Sequence, residues 1–194
     1  MVILASASPR RQELIKQITS DFKVITADID EDKSYVLSPL DAVLDIAKRK
    51  GEKIHKDHYE ELVISADTIV VHKGKIIGKP IDANDAKRIL KELSNDIHEV
   101  ITAYCLFKKD ILIEHYVISK VYFNKLSDEL IDAYIKTGSP LDKAGAYGVQ
   151  DNDKFPIVKS IEGSVTNVIG FPVDEIKQDF LNIEKGLLKN LKGE

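Results

Sequence analysis

The chain has 194 residues, a length that suits one compact α/β domain or two closely associated lobes. Its formal net charge of -4 argues against a protein that binds nucleic acid through a dominant basic surface, although a local cluster of cations could still bind a small phosphorylated ligand. The single cysteine, Cys105, excludes an intramolecular disulfide, and we expect it to be a buried small hydrophobe.

Apolar runs along the chain are short. The opening stretch, residues 1–5, is too short for the apolar region of a secretory signal. No apolar run approaches the ~20 residues that a membrane-spanning helix needs. We therefore expect a cytoplasmic protein without a membrane partner.

Helix-start signals mark the first half of the chain. A strand over residues 2–5 precedes Ser8, a favourable N-cap, and Pro9 stands at the first helical position, where proline is favoured. A second helix is predicted from Pro39 to about Ile54. Gly51 within it costs about 1 kcal/mol relative to alanine, which predicts a tail that is frayed or closely packed.

Strands and helices alternate through the rest of the chain. Further strands are predicted at residues 22–25, 62–66, 68–71, 75–77, 99–107, 111–123 and 155–161. Further helices are predicted from Asp82, from Ser127 to near Gly138, and over residues 174–188, with a glycine-rich loop at 141–150 and a turn, short strand and turn at 162–172. Because the central strands come as hairpins, we expect an α/β fold with a mixed sheet.

The segment Ser6-Ala7-Ser8-Pro9-Arg10-Arg11 places two hydroxyls and two guanidiniums where a strand gives way to a helix. Helix N-termini offer unpaired N–H groups, and arginine matches the geometry of phosphate, so the segment could form an oxyanion pocket. An ordinary capped helix with a solvated arginine pair explains the same residues. The glycine patterns of the P-loop and the dinucleotide fold do not occur here.

Carboxylates occur at two places where they could act on a ligand. Asp67-Thr68 follows the apolar run 62–66, and a carboxylate at the end of a buried strand can hold Mg²⁺ or orient a water. A strand-terminating turn is the alternative. The acidic loop 28–32 could complete a metal site, or its side chains could simply be solvated.

Three further features are compatible with ligand binding and with ordinary structural roles. Lys50 and Lys79 lie near turns, where most lysines are surface charges. The loop 142–150 contains two glycines that permit close backbone approach, and Gln150 could read the edge of a base. The five histidines show no metal-ligand spacing.

The order of these motifs resembles the Maf family along almost the whole chain. The motifs that carry the resemblance are Ser6-x-Ser8-Pro9-Arg10-Arg11, Ala66-Asp67-Thr68-Ile69-Val70, Gly78-Lys79-Pro80, the segment from Lys143 to Gln150 and the segment from Gly163 to Pro172. The resemblance implies one domain over residues 1–194. It also implies an elongated mixed sheet with flanking helices and two lobes around a cleft, as in inosine triphosphate pyrophosphatase.

The same resemblance implies hydrolysis of nucleoside triphosphates to the monophosphate and pyrophosphate with a divalent metal, Mg²⁺ or Mn²⁺. It implies removal of non-canonical nucleotides, homodimers and a link to septum formation. The loop 142–150 is similar to that of the branch acting on dTTP and UTP. A pyrophosphatase for 7-methyl-GTP or another modified nucleotide, a non-catalytic nucleotide-binding regulator of cell division, and a DNA-binding protein remain as alternatives.

The resemblance also implies roles for individual positions. Asp67 matches the proton acceptor, and Glu31 matches an acidic position that, with Asp67, helps to hold metal. The positions that match substrate contacts are Ser6, Ser8, Lys50 and Lys79 at the phosphates, and Arg11, Thr68 and Gln150 in substrate selection.

Two positions depart from the family pattern. The residues after Gln150, usually glycine-rich, are Asp151-Asn152-Asp153-Lys154, which bears on base preference. Position 51, usually alanine, is Gly51, which bears on the helix that carries Lys50.

Overall fold

The computed structural model describes residues 1–187, which form an α/β fold with a mixed seven-stranded sheet. The strands are β1 (Val2–Leu4), β2 (Phe22–Val24), β3 (Leu62–His72), β4 (Lys75–Ile77), β5 (Ile97–Lys108), β6 (Ile111–Phe123) and β7 (Val158–Glu162). The α-helices are α1 (Pro9–Leu14), α2 (Pro39–His55), α3 (Ala83–Leu93), α4 (Asp128–Ile135), α5 (Val165–Ile169) and α6 (Val173–Glu184).

The sheet has the strand order β2-β1-β3-β5-β6-β7, and β4 pairs with β3. Strand β1 is parallel to both β2 and β3, whereas β3–β4 and β6–β7 are antiparallel. The prediction of a mixed sheet is therefore confirmed. Within the described part of the chain, every helix is too short or too polar to span a bilayer.

Local signals placed most helix starts correctly. Ser8, Ser38, Asp82 and Ser127 each accept a hydrogen bond from a backbone N–H three residues further on, which satisfies a donor that the first turn leaves without a partner. Helix α6 ends at Glu184, before the predicted end, and Leu188 lies outside the described residues.

Two predicted elements are wrong. The sequence suggested a strand that ends before Asp67. Strand β3 instead continues through Asp67 to His72 and is eleven residues long. Residues 165–169 form the short helix α5 instead of a strand. The Oγ of Ser164 accepts a hydrogen bond from the backbone N–H of Asn167, which stabilises a helical turn in a segment whose β-branched composition favours a strand.

The described residues divide into two compact units. The first contains Met1–Asp67, Thr102–Val117 and the chain from Gly170 onward, and the second contains Thr68–Ile101 and Ile118–Ile169. In the first unit, the apolar side chains of β1, α2 and β3 form a buried core, and Cys105 is fully buried beside them, as expected. Burial raises the pKa of the Cys105 thiol to about 12.

The core of the second unit lies between α3, α4 and the strands that they cover. Its largest buried side chains are Tyr134, Tyr147 and Phe123, together with the leucines and isoleucines of α3. The rings of His98, Phe123 and Tyr147 contact one another edge to face, with centroids 4.8–5.3 Å apart. This cluster anchors the loop 142–150 through Tyr147.

Candidate active site

The junction between β1 and α1 belongs to the first unit and holds three predicted substrate residues. Ser6 Oγ accepts hydrogen bonds from the Ser8 backbone N–H, at 3.2 Å, and from Arg11 Nη1, at 3.3 Å. Arg11 Nε donates to the carbonyl oxygen of Gly170 at 2.8 Å. Two anchors therefore fix the direction of the Arg11 guanidinium. Because α1 is only six residues long, the charge of Arg11 matters more for anion binding than the helix dipole.

Asp67 lies within β3 and is buried, with an exposed fraction of 7%. Its Oδ1 accepts a hydrogen bond from Lys50 Nζ at 2.8 Å, and the same ammonium lies 2.7 Å from Glu31 Oε1. Three segments that are distant in sequence thus bring two carboxylates to one lysine. The predicted position of Asp67 at the end of a strand is wrong. Of the other predicted site residues, Lys50 contacts both Asp67 and Glu31.

Burial raises the pKa of the Asp67 carboxyl, because a desolvated carboxylate loses the hydration that stabilises its charge. The positive charges of Lys50 and Arg11 oppose this effect, and the negative charge of Glu31 adds to it. The result is a carboxylate with a raised pKa and a cation in direct contact. A raised pKa makes the carboxylate a stronger proton acceptor than an ordinary one, which suits a general base.

The helix that supplies Lys50 packs tightly on the sheet. A Cβ added at Gly51 would lie 2.1 Å from Phe107 Cε2 and 2.6 Å from Ser65 Oγ. Of the two alternatives for the tail of this helix, close packing is the one observed. The glycine lets α2 approach the sheet closely at the turn that carries Lys50.

The acidic loop that carries Glu31 is fastened to α2 by two basic side chains. Arg49 donates from Nη2 to the carbonyl oxygen of Asp30 at 2.7 Å and from Nη1 to Ser34 Oγ at 2.8 Å. Lys53 donates to the carbonyl oxygen of Asp28. The sequence did not reveal this arrangement, since nothing in the order of residues pairs a helix with a loop fifteen or more positions away.

Tyr35, which follows the acidic loop, is a residue that sequence analysis missed. Partial burial raises the pKa of its phenol to about 12, and the negative charges of Asp67 and Glu31 contribute to that rise. The phenol therefore lies within the electrostatic field of the two carboxylates. A tyrosine in a loop carries no sequence signal of such a position.

A metal fits the two carboxylates by their chemistry. Mg²⁺ prefers oxygen ligands and is usually held by one or two carboxylates together with water and substrate phosphates. Glu31 and Asp67 offer oxygens that already share one cation, the ammonium of Lys50. Residues 1–187 contain no group of three or more His, Cys, Asp or Glu side chains that could hold a metal ion.

The remaining predicted substrate residues belong to the second unit. Thr68 continues β3, Lys79 is exposed in the loop after β4, and Gln150 is exposed in a short 3-10 turn. The backbone N–H of Gly145 donates to the carbonyl oxygen of Gly78, at 3.1 Å, which joins the segment before Lys79 to the loop 142–150. Lys79 and Gln150 are thus carried by two loops that bond to each other.

Glycine allows the loop 142–150 to fold tightly. Gly145 has a φ of 71°, a conformation that disfavours residues with a Cβ. A Cβ at Gly148 would lie 2.8 Å from Gln150 Nε2 and 2.8 Å from the Lys143 side chain. The side chain of Gln150 therefore folds back over Gly148, a placement that depends on the glycine.

Two of the five histidines, His72 and His98, are buried, and His115 is exposed. His72 is buried between Glu92 and Asp96, at 3.3 and 3.0 Å. His98 Nε2 lies 2.8 Å from the Tyr147 hydroxyl, and burial lowers the pKa of His98 to about 4.

Solved structures resemble this chain in fold. The structure of the Staphylococcus aureus Ham1 protein matches with a TM-score of 0.53 at 13% identity, covering 94% of this chain and 98% of that chain. A HAM1 protein from Coxiella burnetii matches with a TM-score of 0.52 at 10% identity, covering 93% and 98%. At such low identity the likeness concerns the fold alone, and it agrees with the expected α/β architecture.

Sequence relatives are far more similar. A dTTP/UTP pyrophosphatase of Geotalea uraniireducens is 45% identical over 177 residues, which cover 90% of this chain and 91% of that protein. The dTTP/UTP pyrophosphatase of Fusobacterium nucleatum is 44% identical and covers 94% and 95%. That of Thermococcus onnurineus is 42% identical and covers 90% and 93%. The sequence model of the family described as Maf-like protein matches residues 1–182, and the chain belongs to that family.

Proposed function

We propose that this chain hydrolyses dTTP and UTP to the nucleoside monophosphate and pyrophosphate. The observation that carries the proposal is the buried carboxylate of Asp67 in contact with Lys50, in a chain whose relatives bear the name dTTP/UTP pyrophosphatase. Such a reaction needs cations for the phosphates, a group that accepts a proton from water, and residues that select the base.

The triphosphate is bound by positive charge. Arg11, held in direction by Ser6 and Gly170, offers a planar fork that matches phosphate oxygens. Lys50, Lys79 and the hydroxyls of Ser6 and Ser8 complete the proposed phosphate contacts. Most of the rate enhancement is expected from positioning and charge stabilisation, because phosphoryl transfer demands little covalent work from the protein.

Asp67 is the proposed general base. Its carboxylate orients a water for in-line attack at the α phosphorus and takes the proton of that water as the bond to the β-phosphate oxygen breaks. Pyrophosphate leaves, and the proton remains on Asp67 until it is released to solvent. The raised pKa of Asp67 suits this step, since a carboxylate with an ordinary pKa would be a weak base at neutral pH.

Asp67 and Glu31 are the proposed ligands for the divalent metal, Mg²⁺ or Mn²⁺. When bound, such an ion withdraws electron density from phosphate oxygens and neutralises their charge. The role of Lys50 in the free protein is to hold the two carboxylates together. Its positive charge also opposes the rise in the pKa of Asp67.

Base selection is assigned to Arg11, Thr68 and Gln150. The amide of Gln150 can donate and accept hydrogen bonds at once, as recognition of the edge of a pyrimidine requires. We also propose that residues 1–194 act as one domain, that the chain forms homodimers in the cytoplasm, and that it removes non-canonical nucleotides. Any link to septum formation would follow from that activity.

Pyrophosphate release from dTTP, UTP, CTP and 7-methyl-GTP, with Mg²⁺ and with Mn²⁺, tests the proposal. We expect the highest kcat/KM for dTTP and UTP. Fastest turnover of 7-methyl-GTP would instead place the chain among pyrophosphatases of modified nucleotides. Tight nucleotide binding without any pyrophosphate release would indicate a binding protein and overturn the proposal.

A further inference from the structure

The loop that carries Gln150 is held by a buried hydroxyl. Tyr134 on α4 is fully buried, and its hydroxyl donates to Asp151 Oδ2 at 2.7 Å. The Tyr134 hydroxyl oxygen accepts a hydrogen bond from the backbone N–H of Gly148 at 3.0 Å. One phenol thus contacts the residue directly after Gln150 and the residue two positions before it.

Asp151 has a second anchor. Its Oδ2 also accepts a hydrogen bond from Ser139 Oγ at 2.7 Å, and Ser139 Oγ in turn accepts one from the buried Lys143 ammonium at 2.9 Å. The carboxylate is therefore the centre of a network that closes the loop from both ends. Removal of one member of such a network leaves the remaining polar groups, which are buried or half-buried, with fewer partners.

The residue after Asp151 fixes the exit of the loop. Asn152 accepts a hydrogen bond from the Val158 backbone N–H at 2.7 Å and donates to the Val158 carbonyl oxygen at 3.0 Å. Both contacts hold the backbone in place where the loop ends.

We propose that Tyr134 and Asp151 are positioning residues for base selection. They fix the backbone on both sides of Gln150, so that its amide meets the base in one orientation. The inference rests on the proposed function, in which Gln150 reads the base. Neither residue needs to touch the substrate, because both act through the backbone of residues 148–151.

The test compares Tyr134→Phe, which keeps the ring packed against Phe155 and removes only the hydroxyl, with wild type and Gln150→Ala. The quantity measured is the ratio of kcat/KM for dTTP to that for CTP. We expect Tyr134→Phe to lower this ratio about 3- to 30-fold, with kcat for dTTP within about twofold of wild type. The double variant Tyr134→Phe/Gln150→Ala should have nearly the same ratio as Gln150→Ala alone, because both changes remove the same base selection.

Tyr122→Phe is the matched control, since the Tyr122 hydroxyl contacts Glu162 at an exposed position of the same unit. A purely structural role for Tyr134 would lower the melting temperature without changing the base ratio. If Gln150→Ala lowers the ratio of kcat/KM for dTTP to that for CTP but Tyr134→Phe leaves it unchanged, the inference is overturned. The proposed function would still stand.

If the wild-type protein hydrolyses none of these nucleotides, the proposed function is wrong. The inference is then decided by calorimetric titration of wild type and Tyr134→Phe with dTTP and with CTP. A smaller affinity ratio in Tyr134→Phe would support it, and an equal ratio would overturn it.

Discussion

The candidate residues of the two units are held in different ways. In the first unit, Asp67, Glu31 and Lys50 are held by one another's charges, and Asp67 is buried. In the second unit, Lys79 and Gln150 are exposed and take their positions from the backbone of neighbouring loops. Charges that are withdrawn from water need charged partners, whereas residues that wait for a ligand in solvent need only a fixed backbone.

This contrast predicts that substitutions at Asp67, Glu31 and Lys50 affect the chemical step and its pH dependence. Substitutions at Gln150 and in the loop that carries it should affect the choice of nucleotide. The following predictions concern the first unit, where the expected effects are largest, and each would sharpen or break the contrast.

Asp67→Asn should lower kcat for dTTP by about two to four orders of magnitude, because it removes the proposed proton acceptor while keeping the shape of the side chain. Initial rates of pyrophosphate release measure this effect. Asp57→Asn, at an exposed position of the same unit, is the control and should retain wild-type activity. Full activity of Asp67→Asn would remove Asp67 from the mechanism.

The same variant should not lose stability at neutral pH. A carboxyl group with a raised pKa in the folded state contributes stability below its ordinary pKa of about 3.9, and this contribution is lost as pH rises through the folded value. Neutralisation of Asp67 should therefore leave the melting temperature at pH 7 unchanged or higher. A marked fall would indicate that the ion pair with Lys50 outweighs burial.

Lys50→Met should lower kcat/KM by about one to two orders of magnitude, because it removes a phosphate contact and the cation between two carboxylates. Without that cation the pKa of Asp67 rises further, and activity should be lost at a higher pH as the solution is acidified. The pH dependence of kcat/KM measures the shift. The control is Lys48→Met on the same helix as Lys50. It removes the ion pair between Lys48 and Glu114 and should leave the pH profile unchanged.

Gly51→Ala should lower the free energy of unfolding by about 1–3 kcal/mol, because the new Cβ would overlap Phe107 and Ser65. Denaturant titration measures this loss. Phe107→Leu combined with Gly51→Ala should recover part of it, and Gly78→Ala, where a Cβ meets open space, serves as the control. Equal stability of Gly51→Ala and wild type would show that α2 can move away from the sheet at little cost.

Arg49→Met should weaken Mn²⁺ binding about three- to tenfold, because it removes hydrogen bonds that hold the loop carrying Glu31, a proposed metal ligand. Electron paramagnetic resonance of free Mn²⁺ measures binding without turnover. Arg88→Met, on a helix of the second unit, is the matched control. Unchanged binding would mean that Glu31 is not a ligand or that its loop needs no anchor.

The sequence predicted those features whose causes are local. The helix starts at Ser8, Asp82 and Ser127 depend on a few adjacent residues, and all three were predicted correctly. The helix α5 was missed, because its β-branched residues favour a strand while Ser164 stabilises a helical turn. Local preference and capping pointed in opposite directions there.

Features that join distant segments could not be predicted from residue order. Asp67 was expected at the end of a strand, because it directly follows the apolar run 62–66. The partner, Lys50, lies seventeen positions away on a helix, and the sequence alone does not pair them. The resemblance named both residues as site positions, but only the structure brings them into contact. Their roles in catalysis remain predictions.

Hydrolysis of dTTP in water enriched in ¹⁸O, with mass spectrometry of the products, tests the central claim most directly. Attack at the α phosphorus predicts dTMP that carries one ¹⁸O atom and pyrophosphate that carries none. Label in the pyrophosphate, or release of inorganic phosphate in its place, would contradict the claim that this chain opens the α–β bond by attack of water on the α phosphorus.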